Sequence, residues 1–138
     1  MKYFLFLLLP IFSHAQINVI KKPIRIATLG SGEWSSFLSR IVVDSDTTYQ
    51  YIFRDNFYSS IIVTKSIVFT KSGLKDFSQG LKTSVAGDLS QEVWVSHIGI
   101  TKEHGALGSS GYKIYYDNAG QYLKPKDVNK LISIIDAE

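Results

Sequence analysis

Residues 47–85 read TTYQYIFRDNFYSSIIVTKSIVFTKSGLKDFSQGLKTSV, and this stretch decides the fold class. Tyr49, Tyr51 and Phe53 alternate with Gln50, Ile52 and Arg54. That period of two belongs to a half-buried strand. Asp55 and Asn56 are turn residues. Residues 58–70 are a β-branched run, one long bent strand or two pieces. The spacing then changes: Leu74, Phe77, Leu81 and Val85 recur with the period of a helix. Ser72 is placed to cap it, Gly80 weakens it, and Ala86-Gly87-Asp88 ends it. The order is strand, turn, strand, helix.

Toward the N-terminus, residues 24–29 (IRIATL) form a short strand after Pro23, where a missing N–H does least harm. Gly30-Ser31-Gly32 breaks it. Residues 34–43 alternate again as a strand, closed by a turn at Asp44-Ser45-Asp46-Thr47. Toward the C-terminus, residues 92–100 (EVWVSHIGI) predict one strand. Residues 102–111 predict a loop with Gly105, Gly108 and Gly111, and residues 112–116 a last strand closed by Asp117-Asn118-Ala119-Gly120. A second helix is expected from Pro125, a good first-turn residue. Val128, Leu131, Ile132 and Ile135 form its apolar face, and Asp127 sits near its positive end.

These elements predict an α+β fold: an antiparallel sheet of five to six strands with two helices packed on one face. Residues 92–135 retrace the order of residues 47–85, which suggests a ββα repeat, although the halves share no convincing residue identity.

The first fifteen residues have another purpose. Met1-Lys2 is a short positive start, residues 3–12 (YFLFLLLPIF) are apolar, and Ser13 and Ala15 are the small residues before Gln16. This is the pattern of a secretory signal peptide cleaved after Ala15. An apolar run of about 10 residues, broken by Pro10, is too short for the roughly 20 that a spanning helix needs. The expected mature chain is residues 16–138, a single small domain, secreted or periplasmic, with no membrane anchor after cleavage. A domain of that size buries roughly two thirds of its surface.

The chain carries 15 Lys+Arg against 12 Asp+Glu. Losing Lys2 leaves 14 against 12, a charge of +2, too small and too dispersed to imply a nucleic acid or anionic membrane partner. With 0 Cys there is no thiol nucleophile, disulfide or lipid-modified cysteine. No Asn-x-Ser/Thr sequon occurs.

Few residues suggest chemistry. His97, read as a strand residue sharing a face with Val93 and Val95, and His104, in the expected loop, are weak catalytic candidates. Their spacing lacks a third ligand for zinc. Asp44 and Asp46 lack the remaining positions of a calcium loop. Gly30-Ser31-Gly32 lacks the third glycine of a dinucleotide fingerprint, and Gly108-Ser109-Ser110-Gly111 is one residue short of a nucleophile elbow. No cofactor or metal is expected. Aromatic residues are plentiful, including Trp34, Trp94, Tyr49, Tyr51, Tyr58, Tyr112, Tyr115, Tyr116 and Tyr122. Tyr115 and Tyr116 must point to opposite faces of their strand.

The resulting expectation is an exported, non-catalytic binding protein for a protein, peptide or glycan. Its candidate surface is His104, Ser109, Ser110, Tyr112 and Tyr116. Two alternatives stand beside it: an envelope-acting hydrolase using His97 or His104, and an inhibitor or immunity-type protein that blocks a secreted enzyme.

Overall fold

The computed structural model describes residues 22–56, 61–104 and 110–138. The leader, Ser109, Tyr58 and most of the glycine-rich loop lie outside the described residues. Eight strands and two helices follow in order. They are β1 (Ile24–Leu29), β2 (Ser36–Val43), β3 (Asp46–Arg54), β4 (Thr64–Thr70), α1 (Lys71–Ala86), β5 (Glu92–Val95), β6 (Ile98–His104), β7 (Ser110–Tyr116), β8 (Ala119–Leu123) and α2 (Pro125–Asp136). A short 3-10 turn at Gly32–Trp34 joins β1 to β2. No helix among the described residues is long and apolar enough to cross a membrane.

The α+β class stands, but the single sheet does not. The strands form two four-stranded antiparallel meanders, β1-β2-β3-β4 and β5-β6-β7-β8. The repeating unit is therefore ββββα, not ββα. The extra strands were hidden by two-residue turns made without glycine. Ser96 takes φ +54° and folds residues 92–100 into a hairpin in which Val95 pairs with Ile98. Asp117 and Asn118 take φ +49° and +64°, so the turn ends there and Ala119 starts β8. Asp and Asn tolerate this left-handed conformation better than most residues. Other boundaries shift as well. Trp34 lies in the 3-10 turn, and residues 102–104 belong to β6. Thr70, not Ser72, caps α1: its Oγ1 accepts from the Gly73 N–H at 3.0 Å.

The helices do not share one face of one sheet. Each contacts both sheets as well as the other helix. Within the first sheet, cross-strand register lines up Ala27, Leu38, Tyr51 and Ile67 on the inner face. In the second it lines up Ile100, Ile114 and Gln121. Leu74, Phe77 and Leu81 of α1 and Val128, Leu131 and Ile135 of α2 close on these rows, giving one continuous core. Phe77 stacks on Phe69 at 5.2 Å between ring centres. At Gly80 α1 approaches the second sheet closely, since a Cβ there would stand 2.3 Å from Val95 Cγ2.

Polar contacts fix how the halves meet. The Tyr51 hydroxyl, fully buried, bonds to Ser36 Oγ at 3.1 Å and to Gln121 Oε1 on β8. It has one proton to give, so with that proton on Gln121 it accepts from Ser36. Burial pushes its pKa up and keeps it a neutral donor. Asn56 reaches the free edge of β8: its main chain donates to Gly120 O at 3.1 Å, and its side chain accepts from Tyr122 N at 2.7 Å and donates to Tyr122 O at 3.3 Å. Lys65 of β4 pairs with Asp117 of the β7–β8 turn at 2.9 Å.

Each helix C-terminus is satisfied by a lysine from the other half. Lys102 Nζ of β6 donates to Val85 O and Gly87 O at the end of α1, at 3.0 and 3.2 Å. Lys75 Nζ of α1 donates to Ile135 O at the end of α2, at 2.9 Å. A cation there completes orphan carbonyls and complements the helix dipole. Arg40 grips Glu138 with two bonds of 2.8 Å, and the Tyr49 hydroxyl donates to the same carboxylate at 3.0 Å.

Two outcomes are expected. Gly80→Ala adds up to about 1 kcal/mol of helix propensity but drives a methyl into Val95, an overpacking of about 1–3 kcal/mol. Urea denaturation should therefore show a net loss, and a coupling of about 1 kcal/mol with Val95→Ala. Strict additivity would remove the proposed contact. The second outcome concerns pH. The Arg40 hydrogen bonds hold Glu138 below the usual carboxylate range, and the Lys82 contact does the same for Asp136. A carboxylate with a depressed folded pKa stabilises the fold above its unfolded pKa. That contribution is lost as pH falls through the folded value. Thermal midpoints should drop between about pH 5 and pH 2, and less steeply in a Glu138→Gln/Asp136→Asn variant.

Candidate functional site

The outer face of the second sheet carries two adjoining rows, set by the hairpin registers. One row is Trp94, Gly99, Tyr115 and Gly120; the other is Glu92, Thr101, Lys113 and Tyr122. Alternation explains the division, because Ile100, Ile114 and Gln121 between them point into the core. The glycines matter. A Cβ on Gly99 would stand 2.9 Å from the Trp94 ring, so the indole lies flat on the bare backbone of its cross-strand partner. Tyr122 lies the same way over Gly111. Trp94 is 59% exposed. The Lys113 ammonium sits 4.1 Å from the centre of the Tyr115 ring, a cation–π contact. The face thus presents flat rings beside the carboxylates of Glu92 and Glu103 and the Lys113 ammonium.

A second concavity lies between the sheets. Residues 67–70 of β4 form one wall, and residues 96–98 with Tyr116 form the other, enclosing ≈ 340 Å³. Four consecutive strand residues border it, which means the strand presents its edge and not one face.

The candidate residues separate. His97 is an exposed turn residue between β5 and β6, not a strand residue packed beside Val95. His104 ends β6, where it pairs with Ser110. The intervening strand holds the histidines about 20 Å apart at roughly 3.3 Å per residue. They cannot act on one bond together. Tyr112 is 4% exposed and belongs to the core. Tyr116 is half-buried and joins His97 at the concavity. His104, Ser110, Tyr112 and Tyr116 share the inner side of the sheet, opposite the exposed rings. Among the described residues, no group of three or more His, Asp or Glu side chains is placed to hold a metal ion. No known protein family, curated protein or solved structure matches this chain.

Sequence reasoning singled out Trp94, Tyr115 and Tyr122 as aromatic residues but not as neighbours, because their adjacency depends on two turns, Ser96–His97 for Trp94 and Asp117–Asn118 for Tyr122. A glycine directly opposite an aromatic residue is the signal that locates the platform, and it needs the register to be seen.

Gly99→Val tests this arrangement. In a Trp34→Phe background, Trp94 emission should shift to the red and become more accessible to acrylamide as its ring leaves the sheet. Stability should not fall, since valine suits a strand better than glycine. Unchanged quenching would mean the ring does not rest on Gly99.

Proposed function

We propose that this chain is a small exported, non-catalytic binding protein that holds a glycan against the outer face of its second sheet. The observation that carries this reading is Trp94, exposed and laid flat on Gly99, with Tyr115 and Tyr122 alongside. A ring lying flat offers its π face to solvent. The apolar face of a sugar ring stacks on such a surface, while Glu92 and Lys113 are placed to meet hydroxyl groups. The leader sequence supports export to where envelope and extracellular glycans occur. The hydrolase alternative rests on His97 or His104 singly, because their separation keeps them from acting on one bond together. A protein partner, as for an inhibitor or immunity-type protein, remains the competing use of the same aromatic face, since Trp and Tyr are also common anchors between proteins.

Titration of tryptophan fluorescence with soluble envelope polysaccharide fractions tests the proposal. Trp94→Ala and Tyr115→Ala should each weaken binding by about tenfold or more, corresponding to about 1.4 kcal/mol. His97→Ala and His104→Ala should bind normally, and no reducing ends should be released. Affinity lost with a histidine and kept without Trp94 would overturn the reading, as would capture of a protein by this face in place of polysaccharide.

A further inference from the structure

The outer face of the second sheet is polarised across its strands. Glu92 and Trp94 stand on the same side of β5 two residues apart, roughly 7 Å along the strand. Glu92 pairs with Thr101 on β6, so Glu103, two residues further on, is its diagonal neighbour at roughly 7–8 Å. Glu92 is exposed and Glu103 half-buried. No ion pair joins either carboxylate to another described residue. Lys113 is the one ammonium on this face among the described residues. It stands on β7, two strand spacings or roughly 10 Å across from Glu92.

The rings divide in the same way. The Lys113 ammonium lies 4.1 Å from the centre of the Tyr115 ring. Among the described residues, no Lys or Arg lies over Trp94. Indole is the best of the aromatic side chains at attracting a cation to its face, and this one is 59% exposed. A cation above Trp94 would meet the ring and the neighbouring Glu92 carboxylate together. The chain as a whole carries a charge of +3. Its overall field therefore does not gather cations, and any preference for them comes from this face.

We infer that the glycan held on this face carries free amino groups, with an ammonium over Trp94 beside Glu92 and the uncharged part of the chain running toward Tyr115 and Tyr122. This rests on the glycan reading of the same face and names its ligand class. An N-acetylated sugar has a neutral amide where the amino sugar has its charge, and so loses the attraction of both ring and carboxylate. An acidic sugar at the same place would set its carboxylate against Glu92 and Glu103. Its counter-charge, Lys113, is two strands away.

The test uses the full chain and three hexasaccharides of equal length, titrated by calorimetry: a glucosamine chain, its fully N-acetylated form and a galacturonic acid chain. The glucosamine chain should bind about tenfold or more tighter than the N-acetylated one at about 0.1 M salt. The ratio should shrink at about 1 M, where the screening length falls from roughly 10 Å to roughly 3 Å. In Glu92→Gln the two chains should bind alike, and in Glu92→Lys the N-acetylated chain should bind better. Trp94→Ala should weaken both. Equal binding of the two chains by the unaltered protein, a preference for the galacturonic acid chain, or a preference that survives Glu92→Gln would overturn the inference. If the N-acetylated chain binds through Trp94 with no preference for amino groups, the glycan reading stands and this inference alone falls. If none of the three binds, both fall.

Discussion

The fold depends on one buried polar contact between its halves, from the Tyr51 hydroxyl to Gln121. Tyr51 stands in the middle of the first sheet and Gln121 in the last strand of the second, and neither touches solvent. A buried hydroxyl or amide without a partner costs roughly 1–3 kcal/mol. Apolar side chains would tolerate many relative placements of the two sheets. The polar pair tolerates one, with Ser36 as third member. Gln121 Nε2 has no partner among the described residues, a cost that makes its carbonyl bond to Tyr51 the more necessary. Asn56 extends the same seam to the surface by pairing with the edge of β8.

The sequence made the α+β class and most of the inner-face residues legible, because periods of two and near four are local signals. Tyr49, Tyr51 and Phe53 are all buried as their alternation requires, and so are Leu74, Phe77 and Leu81. The strand count was not legible. Ser96 and His97 interrupt a run of valine and isoleucine without glycine or proline, and a turn that relies on positive φ at serine leaves little trace in composition. β8 was concealed for a related reason: Ala119, Gly120 and Gln121 resemble the end of a turn, yet all three are buried in a strand. Strand propensity here comes from packing on Tyr51 and β7, not from the residues themselves.

The surface was less legible than the core. Adjacent Tyr115 and Tyr116 do point to opposite sides, as strand geometry demands. Which side faces solvent depends on the helices, and these cover Tyr112 while leaving Trp94 open. A reading by composition assembles His104, Ser110, Tyr112 and Tyr116 because they are near in sequence. The register instead joins Trp94 to Tyr115 through Gly99, across three strands.

The exchanged lysine caps carry a consequence for how the chain folds. Lys102 completes the helix of the first half, and Lys75 completes the helix of the second. Each ββββα unit therefore supplies a cap to the helix of the other, a contribution of about 0.3–1 kcal/mol. The two units are joined by a short tether at residues 87–91. Either unit alone would leave the last carbonyls of its own helix without that cap. Contacts distant in sequence must close before either helix end is satisfied, which favours slow, all-or-none folding over stepwise assembly.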